Sequence, residues 1–155
     1  MKSSRVVLIG VLTAVVTPLA VTAAQGGTPS AQVARVAKVQ VRTTSLGKVL
    51  VNGSGFTLYM FTRDTRNKDT CVKISMCTGT WPPYTTTGKP KAGTGVSASK
   101  LSTITLSGGR KQVTYAGHAL YLYAFASGPG DTSYVGTPEF GGTWEAINAA
   151  GHAVK

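Results

Sequence analysis

The sequence predicts a mainly β protein in which two sequence repeats of short antiparallel strands pack into one compact domain. When residue 43 is placed over residue 105, identical residues coincide in the two halves: Thr43/Thr105, Ser45/Ser107, Gly47/Gly109, Val51/Val113, Gly55/Gly117, Leu58/Leu120 and Tyr59/Tyr121. Agreement at one offset indicates an internal duplication. Apolar residues alternate with a period of two, and no segment keeps a helical period over about 11 residues. Because a copy of about 45 to 60 residues cannot bury a sheet face alone, we expect the copies to share a core.

The N-terminus has the pattern of a secretory signal peptide, predicted over residues 1–24. A basic start at Met1–Arg5 precedes an apolar run from Val6 to Val16 and small residues up to Ala24. This run is shorter than the roughly 20 apolar residues of a membrane span. An N-terminal anchor that stays attached is the alternative, and cleavage after Ala23 or Ala24 remains open. With no cysteine near this site for lipid attachment, we expect a protein that is released or held non-covalently at the envelope.

The first copy is predicted over residues 38–84, after a flexible mature N-terminus at 25–37. Its first strand begins near Val39, where apolar and polar residues alternate. Residues 48–61 read as a hairpin whose turn is Asn52–Gly55, because Asn and Gly accept positive φ angles.

The second copy is predicted over residues 99–155, after a linker loop at 85–98 that is rich in Gly, Thr and Lys. Its expected strands repeat the first design and are Leu101–Leu106, Val113–Tyr115, Ala119–Phe125, Trp144–Ile147 and His152–Val154.

Aromatic and aliphatic residues alternate along the central strand of each copy. The candidates for the core or its rim are Phe56, Leu58, Met60, Trp81, Leu120, Leu122 and Trp144. Tyr59, Phe61, Tyr121 and Tyr123 fall on the opposite strand face. Such a row forms packing contacts or a binding platform, and packing is the more common use of aromatic residues on a pleated surface.

The charge favours anionic partners outside the cell. The formal net charge is +11, and +9 remains without Lys2 and Arg5. We therefore expect an anionic cell-wall polymer or a membrane surface as the partner. Nucleic acid is not expected, because export removes the usual target and no dense basic run is present. The alternative is that the charge serves solubility alone.

Cys71 and Cys77 are the two cysteines, and their close spacing predicts a disulfide in an oxidising compartment. A ring this small stabilises the fold by only about 2 kcal/mol and would shape the loop between Asp64 and Trp81. The alternative is a redox-active or metal-binding pair, but the CxxC spacing and further soft ligands are missing.

We expect no enzymatic activity. Ser97 and Lys100 match an S-x-x-K spacing, but they lie in a Gly/Ser-rich loop without the other motifs of penicillin-recognising enzymes. The Asp64–Asp69 segment places Arg66 and Lys68 where a calcium loop needs oxygen ligands. His118 aligns with Phe56 of the first copy, which favours a turn histidine over a catalytic one. No catalytic residue, metal ligand or cofactor is assigned.

The motif of the first copy resembles a known family. Tyr59–Asp64 fits Y-x-[FWY]-x-x-D and is followed by Cys71, Cys77 and Trp81. With its counterpart at 115–144, the chain resembles the bacterial "secreted repeat of unknown function" family, also described as predicted lipoproteins. The resemblance implies a fold and an exported location but no activity. Two departures are the missing lipobox cysteine and the absence of the motif aspartate in the second copy, unless Asp131 replaces it.

Three hypotheses about function follow. The first is a secreted or envelope-associated, non-enzymatic module that binds anionic envelope polymers. The second is a small-molecule, haem or metal site between the repeats. The third is a hydrolase with an unrecognised site. The candidate binding residues are the motif positions Tyr59, Phe61, Asp64, His118 and Tyr121.

Overall fold

The computed structural model describes residues 35–155, which belong to one compact unit. The predicted signal peptide at 1–24 and most of the predicted flexible segment 25–37 lie outside the described residues. Strands dominate over helix, which confirms the expected fold class. The strands are β1 (Lys38–Thr44), β2 (Gly47–Asn52), β3 (Tyr59–Phe61), β4 (Thr85–Thr86), β5 (Lys91–Ala92), β6 (Leu101–Thr105), β7 (Lys111–Tyr115), β8 (His118–Ala119), β9 (Thr137–Glu139), β10 (Gly142–Ile147) and β11 (Ala153–Val154). The helical pieces are α1 (Cys77–Thr80) and three short 3-10 turns at Cys71–Lys73, Ala98–Lys100 and Ser107–Gly109.

Each copy begins with an antiparallel hairpin. In the first copy β1 pairs with β2, and Thr44 faces Gly47 across the two-residue turn. In the second copy β6 pairs with β7 around the turn at Ser107–Gly109. The turn glycines Gly47, Gly108 and Gly109 have positive φ angles, which a residue without a Cβ adopts at little cost.

The expected hairpin over residues 48–61 forms only in part. Beyond the turn a single bridge joins Val51 to Thr57, and β3 then pairs with β10 of the other copy. All three residues of β3 are buried. A strand covered on both faces needs hydrogen-bond partners along its edges, and β10 supplies them on one side.

The expected strand Ala119–Phe125 is also shorter than predicted. Strand pairing ends at Tyr121, whose backbone bridges to Tyr59 and Pro83. Leu122 and Ala124 still donate backbone hydrogen bonds to the carbonyl groups of Pro82 and Thr80, whereas the side chain of Phe125 is 68 % exposed.

The segment 85–98, expected to be a linker loop, contributes two short strands. β4 pairs with β7, and β5 lies parallel to β1. The Thr86 hydroxyl accepts a hydrogen bond from the Ala37 backbone N–H at 2.9 Å. These contacts satisfy backbone groups that would otherwise be buried without partners.

A local pseudo-twofold axis relates the copies at their junction. Tyr59 and Tyr121, which occupy equivalent positions, exchange two backbone hydrogen bonds of 3.0 Å each. Trp81 and Trp144, also equivalent, stack with ring centroids 4.1 Å apart and an interplanar angle of 4°. The two copies therefore meet through equivalent residues at this junction.

Candidate functional site

Three of the predicted binding residues lie in the aromatic core at the pseudo-twofold axis. Tyr59, Phe61 and Tyr121 are each at most 1 % exposed. Phe61 stacks on Trp144 at 4.2 Å, and Tyr121 meets the edge of the same ring at 5.0 Å. Their burial and ring contacts support the packing interpretation of the aromatic row.

Asp64 joins the motif loop to this aromatic core. Its Oδ2 accepts a hydrogen bond from the Tyr121 hydroxyl at 2.6 Å, and its Oδ1 accepts one from the Thr70 backbone N–H at 2.7 Å. Burial raises the pKa of Asp64, and these hydrogen bonds oppose the increase. Burial and the charge of Asp64 together raise the pKa of Tyr121 far above that of an exposed tyrosine. The motif aspartate therefore orders a loop and anchors a buried phenol.

The hydroxyl of Tyr59, the counterpart of Tyr121, has a different partner, which lies in the second copy. The Tyr59 hydroxyl approaches the backbone carbonyl of Asp131 at 3.4 Å instead of a carboxylate. The Asp131 carboxylate accepts hydrogen bonds from the backbone of Ser133 and from the backbone and hydroxyl of Ser127. Hydrogen bonds from Ser133 and Ser127 hold the pKa of Asp131 well below its usual range. Asp131 thus orders its own loop and forms no hydrogen bond to tyrosine like that of Asp64.

The cysteines form the predicted disulfide. Cys71 and Cys77 are bonded with an S–S distance of 2.02 Å, and both are fully buried beside Trp81. The bond closes the segment from Cys71 to Cys77, between the Asp64 loop and α1. Both sulfur atoms are engaged in this bond, and neither cysteine is free.

His118 lies apart from the Tyr121–Asp64 pair. It is half-buried in β8, opposite Tyr115. Burial lowers its pKa, and the positive charges of Arg66 and His152 lower it further. Within residues 35–155 no hydrogen bond joins His118 to the other predicted binding residues. The structure therefore brings Asp64 and Tyr121 together and leaves His118 in a basic environment.

Sequence reasoning missed a basic cleft next to His118. Its volume is about 370 Å³, and it is lined by Arg66, Asn67, Ser99, Lys100, Ser102, Thr114, Ala116 and Gly117. We call it the Arg66–Lys100 cleft. Three segments distant in sequence build it, so no local motif announces it.

Charges are segregated by sign between the surface and the interior. Of the 16 Lys and Arg residues, 14 lie within residues 35–155, where 13 are exposed and Lys100 is half-buried. Among the five carboxylates only Glu139 is exposed, and its Oε2 accepts a 2.8 Å hydrogen bond from Trp81 Nε1. Asp69 and Glu145 are buried, whereas Asp64 and Asp131 are half-buried. The surface is therefore more strongly basic than the composition alone indicates.

Residues 35–155 lack two kinds of feature. Within this range no group of three or more His, Cys, Asp or Glu side chains is arranged to hold a metal ion. The same range contains no helix long and apolar enough to cross a membrane.

The fold and surface define a duplicated, disulfide-linked β domain with a basic exterior. The family model described as "Secreted repeat of unknown function" matches residues 40–85 and 102–148, which is more than half of the chain. The chain belongs to this family of secreted repeats, as the motif predicted. Neither a curated protein nor a solved structure matches it.

Proposed function

We propose that this protein is a non-enzymatic module of the cell exterior that binds anionic polymers of the envelope through its basic surface. The observation that carries this proposal is the segregation of charge by sign. The exposed cations can meet a polymer directly, while four of the five carboxylates are buried or half-buried and only Glu139 is exposed beside them. Charges of one sign spread over a surface raise the local concentration of an opposite polymer.

The dense packing of side chains at the junction of the two copies also favours this function over a ligand site between the repeats. A ligand there needs a pocket lined by a few convergent polar groups. The stacked rings of Trp81 and Trp144 and the buried Tyr59 and Tyr121 fill this junction instead. A ligand would have to displace these rings from their contacts.

Retention on purified cell wall tests the proposal. We expect the full chain to bind the wall at low salt and to be released as salt rises, because screening shortens the range of exposed charges to about 8 Å at physiological ionic strength. A triple variant, Lys89→Gln, Lys91→Gln and Lys111→Gln, should be released at lower salt. These three lysines are exposed.

The matched control replaces the same three lysines by arginine, which keeps the charge. This variant should be retained like the original protein. Retention that salt does not change, or equal weakening by the Gln and Arg variants, would contradict an electrostatic module. A module of this kind also shows no turnover in the same wall preparations.

A further inference from the structure

The Arg66–Lys100 cleft combines cations and hydroxyl groups from three sides. Arg66 and Asn67 come from the loop after β3, Ser99 and Lys100 from the 3-10 turn before β6, and the floor comes from β6 and β7. Ser102 and Thr114 face each other across those two strands. Within the described chain none of the lining residues is acidic. The lining therefore offers donors and positive charge without a competing carboxylate.

Thr114 carries an unused hydroxyl at the floor of this cleft. The side chain is fully buried, and its Oγ1 has no hydrogen-bond partner within the protein. A buried hydroxyl without a partner costs about 1 to 3 kcal/mol. Valine has nearly the same shape and would avoid that cost. The hydroxyl is thus a feature that packing does not explain, and a ligand oxygen would satisfy it once the floor of the cleft opens to the ligand.

Both cations are held in position by backbone carbonyl groups. Lys100 Nζ donates to the carbonyl of Ala150 at 2.7 Å and approaches that of Ala149 at 3.4 Å. Arg66 Nη1 donates to the carbonyl of Ala116 at 3.1 Å. An ammonium group has three donors and a guanidinium group has five, so both retain donors for a ligand. Fixing these long side chains in advance lowers the entropy cost of binding.

Gly117 allows the guanidinium to lie against the cleft wall. A Cβ at this position would lie 2.7 Å from Arg66 Nη1, and the φ angle of +88° also favours glycine. The positive charge of Arg66 is felt by His118, whose pKa it helps to lower. The guanidinium therefore sets a positive potential at this end of the sheet.

We propose that the Arg66–Lys100 cleft binds a phosphate group, presented as the phosphodiester of an anionic polymer. The tetrahedral oxygens of a phosphate suit donors that approach from three sides, whereas a planar carboxylate offers two oxygens in one plane. Arginine binds phosphate through its donor fork and lysine through its point charge. The identity of the polymer rests on the proposed function, but the phosphate site rests on the cleft itself.

A polymer fits this cleft better than a lipid surface does. The cleft is concave, and its apolar lining consists only of Ala116 and Gly117. Proteins that lie on a bilayer insert apolar side chains such as Trp, Phe or Leu beside their basic residues. A chain with phosphates at regular intervals can place one group in the cleft while its neighbours meet the exposed cations.

Titrations of the full chain with inorganic phosphate and with poly(glycerol phosphate), followed by amide NMR, test the site. We expect saturable shifts at the amides of Lys100, Thr114 and Gly117 with both probes, and none with acetate at equal ionic strength. Lys100→Gln should weaken phosphate binding about tenfold, because a charge-assisted hydrogen bond is lost. Thr114→Val should weaken it severalfold while the melting temperature stays equal or rises.

Lys48→Gln is the matched control, since Lys48 is exposed on β2 and does not line the cleft. It should bind phosphate as the original protein does. Shifts without saturation, equal losses for Lys48→Gln and Lys100→Gln, or unchanged affinity in Thr114→Val would overturn the site. Tight binding to phosphatidylglycerol vesicles that excludes the polymer would overturn its assignment to a polymer.

The two proposals fail separately. If phosphate binds the cleft but the chain does not bind cell wall, the proposed function is wrong and the phosphate site stands. If the chain binds wall in a salt-dependent way but phosphate does not bind the cleft, the site is wrong and the basic surface alone accounts for retention.

Discussion

At the scale of single residues, the hydroxyl groups of Tyr59 and Tyr121 distinguish the two copies. The Tyr121 hydroxyl donates a 2.6 Å hydrogen bond to the Asp64 carboxylate, whereas that of Tyr59 meets a neutral carbonyl at 3.4 Å. Hydrogen bonds to charged groups contribute about 1.5 to 3 kcal/mol, and neutral ones about 1. We expect Tyr121→Phe to lower the free energy of unfolding by about 2 kcal/mol, measured by denaturant titration.

Tyr59→Phe is the matched control, because it removes one hydroxyl from the equivalent position and leaves the ring stack unchanged. Its cost should be less than half that of Tyr121→Phe. Equal costs for the two variants would show that the Tyr121–Asp64 bond stabilises the fold no more than the neutral bond of Tyr59 does.

His118 should make stability depend on pH between neutral and mildly acidic conditions. Burial, assisted by the charges of Arg66 and His152, holds its pKa in the folded protein below the usual value of about 6.5. As pH falls through the window between 6.5 and the lower folded pKa, the unfolded chain takes up a proton that the folded chain does not. The contribution of His118 to stability is therefore fully present above about pH 6.5 and is lost as pH falls through the lower pKa of the folded protein.

The variant His118→Phe tests this dependence. Phe56 occupies the equivalent position in the first copy, so a ring without charge suits the turn. We expect the loss of unfolding free energy between pH 7.5 and pH 5.5 to be smaller in the variant than in the original protein. The same loss in both proteins would assign the pH dependence to other groups.

At the scale of elements, local patterns predicted the strands that pair with their neighbours in sequence. The alternation at Val39 locates β1, and glycine turns separate the strands of the β6–β7 hairpin. The pairing of β3 with β10 joins residues more than 80 positions apart, and no local pattern specifies such a partner. β4 and β5 were not predicted, because the segment 85–98 that contains them is rich in Thr, Gly and Lys and has the composition of a loop. They form strands because β7 and β1 supply their hydrogen-bond partners.

The parts of the candidate site that could be predicted are those whose residues all lie in one short segment of the sequence. The disulfide and the Asp64 motif each lie within a short stretch, so spacing alone indicated them. The Arg66–Lys100 cleft joins residues that topology brings together, and the burial of carboxylates depends on tertiary packing. The charge count predicts that the surface is basic, but it does not predict which acidic side chains are buried.

At the scale of the whole molecule, the pseudo-twofold junction makes each copy depend on the other. β3 of the first copy takes its strand partner from the second, and Trp81 stacks on Trp144. Because the main buried clusters each combine residues of both copies, we expect residues 35–155 to unfold in one two-state transition. Trp81→Phe should cost about 1 to 3 kcal/mol, since the smaller ring leaves part of the stack unfilled.

Hydrogen exchange measures whether Trp81→Phe destabilises both copies or only the copy that contains it. Trp81 belongs to the first copy, yet its substitution should lower amide protection equally in the β1–β2 hairpin and in the β6–β7 hairpin, because both open only when the junction opens. Phe125→Ala is the control: this ring is 68 % exposed, so its loss should leave both hairpins protected. If Trp81→Phe lowers protection in one hairpin and spares the other, the copies unfold as separate units and the duplicated domain is not a single cooperative structure.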